Sequence, residues 1–346
     1  MFTQLTSWEN LLLATRKASR GKRGKANVAT YEHNLEENLL ELQTELRRGS
    51  YQPGGYVSFV IHEPKRRIIS AAPFRDRVVH HALCNLIEPI FEHSFIGDSY
   101  ANRVGKGTHR ALDRCQQFAR QHRYVLQCDL RQFFPSIDHA ILRETLVRKI
   151  NDDQVMKLID LILGGGAGVL NEAYDMVYFP GDDLLAALRP RGLPIGNLTS
   201  QFWANVFLNP FDHFIKQELR CPAYLRFVDD FLLFADDKKT LWSWKEAIVE
   251  RLARLRVTIH PAAHPRPVAE GIPFLGFTVT PQRRRLKRRK GIFFRRRLWR
   301  LVADYGDGLI TMEQLTASIQ GWVNHTRYGN TIGLRKAVLG QVVVRA

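Results

Sequence analysis

Cysteine is scarce in this chain of 346 residues, and Cys84, Cys115, Cys128 and Cys221 stand far apart with no Cys-x-x-Cys pair among them. That spacing excludes a zinc finger or ribbon, and the four residues read as reduced thiols at core or near-surface positions. His80-His81 and His260 with His264 likewise lack a cysteine or carboxylate at ligand spacing, so they read as ordinary polar residues. No apolar run approaches the roughly 20 residues that a membrane span needs. The opening MFTQLTSWENLLLATRKASRGKRGK lacks the order of basic start, apolar centre and small-residue cleavage site of a secretory signal. A cytoplasmic protein with no membrane span is the expectation. Acidic residues are outnumbered, 34 against 51 lysines and arginines, for a formal net charge of +17. A surface of that sign attracts polyanions, so nucleic acid or an anionic membrane surface leads the expected partners. The hydrophobic fraction of 45% excludes a disordered tail, and the length allows two or three compact units.

Along the chain, Leu35, Leu39, Leu42 and Leu46 recur at helical spacing, which predicts an amphipathic helix over 31–48 stopped by Gly49 and Pro53-Gly54-Gly55. Two short strands over 56–69, turning at Glu63-Pro64-Lys65, predict a hairpin that carries Lys65, Arg66 and Arg67. Helical periodicity resumes from Arg75 to Phe95. A polar, glycine-bearing loop from Ser99 to Arg110 then opens another helix. RYVLQCDL reads as a strand ending in Asp129, and 141–163 reads as helical. Residues 164–191, with GGGAG, several acids and two prolines, read as a long exposed connection or a small insertion. A helix is expected through Phe202 to Lys216, another over 241–256, short strands over 257–280 and helices over 312–340. Between them QRRRLKRRKGIFFRRRLWR changes character abruptly. Like charges this dense, interleaved with Ile292, Phe293 and Phe294, favour nucleic-acid contact over a merely solvated face.

Asp229 and Asp230 lie between two apolar, strand-like runs in YLRFVDDFLLF. An Asp-Asp pair in a turn is common and inert. With both flanks apolar, however, the two acids would stand at the junction of buried strands, where like charges repel unless a cation intervenes. Hard oxygen ligands favour magnesium or manganese. A phosphoryl-transfer site that holds two cations needs a further carboxylate from another strand, and Asp129 fits, although alone it could cap a helix or turn. The order is informative. Lys65, Arg66, Arg67 and Arg75 come first and are suited to a triphosphate; Asp129 follows with Phe133 and Phe134; a glycine-containing turn enters a helix; Asp229-Asp230 closes the series.

From about Trp8 to Arg335 the chain resembles the reverse transcriptases. KRRIISAAPFRDRVVHHAL is similar to their fingers motif, YANRVGKGTHRAL to the segment after it, LQCDLRQFFPSID to the first palm motif and RFVDDFLLF to the second carboxylate motif. GIPFLGFTV resembles the strand pair that grips the primer, and GWVNHTRYGNTIGLR the thumb of bacterial, intron-type enzymes. The resemblance implies an α+β right-hand polymerase: an N-terminal helical extension over 1–55, fingers over 56–123, a palm of antiparallel sheet with helices over 124–282, and a basic helical thumb over 283–346. The palm would carry a fingers or insertion segment at about 139–191. The implied activity is RNA-directed DNA polymerisation, with Asp129, Asp229 and Asp230 as catalytic carboxylates holding two Mg2+ ions, for which Mn2+ can substitute. Lys65, Arg67, Arg75, Phe134, Ile195, Gly196 and Gln201 would bind the deoxynucleoside triphosphate. Phe134 takes the place of the bulky residue that excludes a ribose hydroxyl, one of Phe133 and Phe134 being a core residue. Arg284, Arg285, Lys287, Arg288, Arg289, Lys290, Arg295, Arg296 and Arg297 would hold template RNA and the cDNA primer or product.

The subfamily is indicated by LPIGNLTSQFWANVFLN, where Ile195 stands in place of the usual glutamine and Gln201 in place of proline. This pattern, the opening SWENLLLATRKASRGKR and the phrase EPKRRIISA are similar to those of diversity-generating retroelement reverse transcriptases. An isoleucine cannot make the hydrogen bond that glutamine offers the incoming sugar, so weakly held mispairs are penalised less. The resemblance implies errors opposite template adenines, a role for Ile195 and Arg67 in them, and a small basic helical accessory protein that assembles as an oligomer. Two features depart from the family pattern: the long 164–190 connection, and RVTIHPAAH, which lacks the lysine that often serves as general acid and leaves His260 or His264 as substitutes. Antiphage defence with a partner noncoding RNA, and an RNA-binding maturase like those of group II introns, are the alternative settings.

Overall fold

The computed structural model describes residues 1–62 and 66–341, so the expected turn at Glu63-Pro64-Lys65, and Lys65 with it, lies outside the described residues. The chain forms two compact units. Met1–Gly97, Asp129–Arg220 and Lys245–Pro261 make the first; Asp98–Cys128, Cys221–Trp244 and Ala262–Ala346 make the second.

In the first unit the Trp8–Ser19 helix begins on Ser7, whose hydroxyl accepts from the Asn10 amide, and it packs on the Phe74–Glu92 helix. The helix expected over 31–48 is two, Ala26–His33 and Leu35–Arg48, divided at Asn34. Leu39, Leu42 and Leu46 are buried, and Gly49 ends the second helix at φ 71°, a left-handed cap that glycine adopts without strain. Strands β1 (Val57–Ile61) and β2 (Arg67–Ala71) pair antiparallel, as the hairpin pattern predicts. The Leu198–His213 helix is apolar nearly all round and correspondingly buried; its Phe202 meets Phe91 edge to face at 5.8 Å.

The expected helix over 141–163 is also two, His139–Val147 and Asp153–Gly166, because Asp138 and Asp152 each accept from two backbone N–H groups and start a new helix. From Ala167 to Arg191 the chain then runs as the predicted long connection, with two 3-10 turns at Asn171–Ala173 and Leu184–Leu188.

The second unit holds strands β3 (Tyr124–Asp129, whose last residue falls in the first unit), β4 (Tyr224–Phe227), β5 (Asp230–Ala235) and β6 (Pro265–Pro267), in the sheet order β4-β5-β3-β6. Strands β7 (Ile272–Phe274), β8 (Phe277–Val279) and β9 (Arg284–Leu286) make a second antiparallel sheet. The Thr108–Gln121 helix lays Ala111, Leu112, Cys115 and Phe118 into the core that these strands share. Helices Arg288–Gly306, Met312–Thr326 and Ile332–Leu339 enclose a small core of Phe294, Leu298, Leu315 and Val338, with Phe294 stacked on Trp322 at 4.2 Å. All four cysteines are buried and unbridged. Among the described residues no helix is long and apolar enough to cross a membrane.

Candidate active site

Strands β4 and β5 pair from Tyr224↔Leu233 to Phe227↔Asp230, which leaves Val228 and Asp229 as a two-residue turn. Tight hairpin turns need positive φ at their first central residue, a place that glycine, asparagine or aspartate usually fills. Here Val228 takes it at φ 59°. A β-branched residue in that region is strained, so the backbone beside Asp229 holds a conformation that its surroundings must enforce. Tyr224, Leu225 and Phe231 to Phe234 are buried, whereas Val228, Asp229 and Asp230 are half-exposed. The apolar flanks therefore anchor the hairpin and leave its two acids accessible.

The next strand, β3, orients one of these acids. Gln127 donates from Nε2 to both carboxylate oxygens of Asp230, at 3.1 and 3.3 Å, and its Oε1 accepts from Arg266 at 2.8 Å. Arg266 fixes which end of the amide faces Asp230. Burial lowers the Arg266 pKa while the Asp230 charge raises it; burial, helped by the same carboxylate, pushes the Cys115 thiol up. Asp129 ends β3 two residues after Gln127, is exposed, and accepts from the His260 amide at its backbone oxygen, 2.8 Å away. The ring of His264 bonds the Ala262 carbonyl at 2.8 Å.

The donor type suits a hard cation. Among the described residues no three His, Cys, Asp or Glu side chains are arranged as a complete metal-holding group. Hydrated magnesium needs no such cage, because it binds through one or two carboxylates together with substrate phosphates. The residues present fit that mode.

In the first unit a chain of backbone bonds joins three segments of the predicted nucleotide site. Phe133 is buried and meets Phe207 at 6.2 Å, so Phe134, half-exposed, is the ring available to a ligand. The Phe134 carbonyl accepts from Leu193 at 2.9 Å, and the Ile195 carbonyl accepts from Ser70 of β2 at 2.8 Å. Gly196 has φ 120°, and a Cβ there would stand 2.9 Å from the Ile69 Cγ2, so glycine is required on both counts. Arg67, the first residue of β2, is exposed, as is Gln201.

Sequence reasoning passed over Asn197. Its position before a helical run reads as an ordinary N-cap, yet its side chain makes no cap bond. Buried, it instead donates to the Ser70 and Pro194 carbonyls at 2.9 and 3.1 Å and accepts from the Ala72 amide at 3.1 Å. It rivets the Ile195-Gly196 turn to β2. Gln127 was also missed, since a strand glutamine carries no local signal.

The predicted cations differ in their surroundings. Arg75 pairs with Glu45 and lies over the Tyr51 ring, so its charge is already engaged. Arg284 is 12% exposed at its side chain, pairing with Asp113 at 2.7 Å and donating to Gln116 at 2.9 Å. Arg285, Arg288, Arg289, Lys290, Arg295, Arg296 and Arg297 are exposed, and Lys287 is half-buried. Ile292, Phe293 and Trp299 are exposed among them; Arg288, Ile292, Arg295 and Trp299 share one helical face.

Compared with known proteins, residues 61–279 match the family described as reverse transcriptase (RNA-dependent DNA polymerase). Protein YkfC of Escherichia coli (strain K12) is 24% identical over 306 residues, 75% of this chain and 75% of YkfC. Group II intron-encoded protein LtrA of Lactococcus lactis is 26% identical over 185 residues, which cover 53% of this chain but only 29% of LtrA. Telomerase from Candida albicans, solved with a fragment of telomeric RNA, aligns with a TM-score of 0.47 at 11% identity, over 70% of this chain and 48% of that one.

Proposed function

The chain belongs to the reverse transcriptase (RNA-dependent DNA polymerase) family, and on that premise we propose that it copies an element-encoded RNA into cDNA by two-metal-ion nucleotidyl transfer. It has the right-hand polymerase fold of that family, built from helices and antiparallel sheets. The observation that carries the proposal is the half-exposed Asp229-Asp230 turn on a buried hairpin, with β3, the strand that ends in Asp129, next to β5 in the sheet. Asp129, Asp229 and Asp230 would hold two Mg2+ ions, which when bound activate the primer hydroxyl and steady the leaving pyrophosphate. Gln127 keeps Asp230 oriented. Phe134 meets the deoxyribose, and Arg67 the triphosphate. The exposed cations of the Arg288–Gly306 helix grip the RNA and cDNA backbones.

The finer reading is a diversity-generating retroelement enzyme, acting in the cytoplasm with a small basic accessory protein. Its support is Ile195 with Gln201. The Ile195 carbonyl is committed to Ser70, so the residue presents hydrocarbon to its surroundings and offers no side-chain hydrogen bond to a sugar. Discrimination then rests on base pairing and packing, which is the condition for misincorporation. The similarity to LtrA favours a second reading, in which the RNA is an intron that the protein also helps to fold.

Purified protein with Mg2+, a primed RNA and deoxynucleotides should extend the primer, and Asp229→Ala or Asp230→Ala should abolish extension. Extension by these variants, or none by the parent, rejects the polymerase. Sequencing the cDNA should show errors concentrated opposite adenines, and uniform low error rejects the retroelement reading. Flanking DNA separates the settings: a template and variable repeat differing at adenines supports diversification, and intron boundaries support the LtrA-like reading.

A further inference from the structure

Arg226 is 0% exposed and among the largest fully buried side chains described. Burying a guanidinium is costly unless its donors are met, so packing alone is a poor reason to keep one there. Its Nη1 donates to the Val228 carbonyl at 2.9 Å, reaching along its own strand to the turn that carries Asp229.

The base of that side chain is fixed from both edges. Arg226 pairs with Phe231 across the hairpin, and its other edge bonds the 98–100 segment, its amide donating to the Asp98 carbonyl and its carbonyl accepting from Tyr100, each at 3.0 Å. The Asp98 carboxylate is held in turn by Arg114 at 2.8 Å and the Tyr100 hydroxyl at 3.0 Å.

The acceptor is the informative end. The Val228 carbonyl belongs to the peptide that joins Val228 to Asp229, so holding its oxygen fixes ψ of Val228 and restricts φ of Asp229. Those two torsions aim the Asp229 side chain. They also belong to a backbone that valine at φ 59° resists. A charge-assisted bond to the carbonyl is of the size needed to offset that cost.

We propose that Arg226 is a positioning residue whose buried guanidinium holds the strained Val228–Asp229 peptide and thereby aims the Asp229 carboxylate at the reacting phosphates. The proposal rests on the assignment of Asp229 as a metal carboxylate, and the test has an arm that is independent of it.

Arg226→Gln and Arg226→Met are each made in the parent chain and in Val228→Gly, since glycine adopts φ 59° without strain. Methionine keeps bulk without burying an unpaired charge, which guards against a misfolded glutamine variant. In the parent background either substitution should lower kcat for primed-RNA extension at least about tenfold, the scale of a misplaced catalytic group. The deoxynucleotide KM and RNA Kd should stay within about twofold, and the Mg2+ midpoint should rise. In the Val228→Gly background the same substitution should cost several-fold less, because the turn no longer needs enforcing. Equal losses in both backgrounds, or a change in KM alone, would overturn the proposal, since a residue that merely fills the core damages both chains alike. Amide hydrogen exchange of a peptide covering 224–234 supplies the independent arm: faster exchange in Arg226→Met, relieved by Val228→Gly, is expected even if the parent proves inactive. An inactive parent defeats the polymerase reading alone; unchanged exchange defeats the positioning role whatever the activity.

Discussion

Replacing Asn197 by alanine should destabilise the protein by about 3 kcal/mol and weaken nucleotide binding together. The amide is 2% exposed and makes three bonds, two donated to the Ser70 and Pro194 carbonyls and one accepted from the Ala72 amide. Alanine strips all three. Each buried group left unsatisfied costs about 1–3 kcal/mol, the Ala72 N–H most, since a carbonyl has a second lone pair to fall back on. At about 2–4 °C per kcal/mol for a unit of this size, Tm should fall by roughly 6–12 °C, read by calorimetry or a dye-based melt. Aspartate sharpens the test. It is nearly isosteric and still accepts from Ala72, but it sets oxygen against oxygen where two bonds were donated, so it should cost as much as alanine or more. Its penalty should shrink as pH falls, because the facing carbonyls raise its folded pKa and a protonated acid donates again. In extension assays with either variant, KM for the deoxynucleotide should rise while RNA affinity holds, since the residue rivets Ile195 and Gly196 to the strand that begins with Arg67. An aspartate variant within about 1 kcal/mol of the parent would refute the hydrogen-bond account.

Phe134→Ala should relax discrimination against ribonucleotides at least about tenfold in single-nucleotide extension. Phe133→Ala should instead cost about 3–5 kcal/mol of stability; the reverse pattern would exchange their roles. Arg295→Ala, Arg296→Ala and Arg297→Ala combined should weaken RNA binding and flatten its salt dependence by about 0.7 in slope for each phosphate no longer neutralised. Arg284→Ala should leave that slope unchanged and lower Tm, because its guanidinium is spent on Asp113 and Gln116. Burial, reinforced by His81 and Arg77, lowers the His80 pKa to about 3, whereas the unfolded chain takes up that proton near 6.5. Stability from this residue is therefore complete above pH 6.5 and is lost toward pH 3, by about 1.4 kcal/mol per pH unit. Urea midpoints should decline from about pH 7 to pH 5, and less steeply in His80→Leu; parallel declines would refute the assignment.

What was legible in the chain is what local periodicity encodes. The hairpin around Asp229 and Asp230 and the strand into Asp129 show as apolar, strand-like runs, and the long connection, which begins at Ala167 rather than at 164, shows as the loss of 3.6-residue recurrence. The divisions at Asn34 and Asp152 did not, because apolar spacing runs through both breaks; at Asp152 the break is decided by a capping side chain, which accepts from the Gln154 and Val155 amides. The candidate site is suggested by residue type, whereas the environment of each residue is hidden from the sequence. Strand alternation and charge together would send Arg226 to solvent. It is buried because the Asp98 to Tyr100 segment, far off in sequence, pairs with the outer edge of β4, and no window of the chain contains both partners. Arg75 and Arg284 count toward +17 as Arg295 does, yet distant acids occupy the first two. Val228 is the strongest case, since a turn is expected from glycine or asparagine and this one is imposed on valine. Apolar burial follows from the residue itself, but a buried polar group is stable only with its partner. The devices that aim a carboxylate or hold a nucleotide turn are therefore fixed by pairs remote in sequence, and local pattern reveals the chemistry before it reveals what positions it.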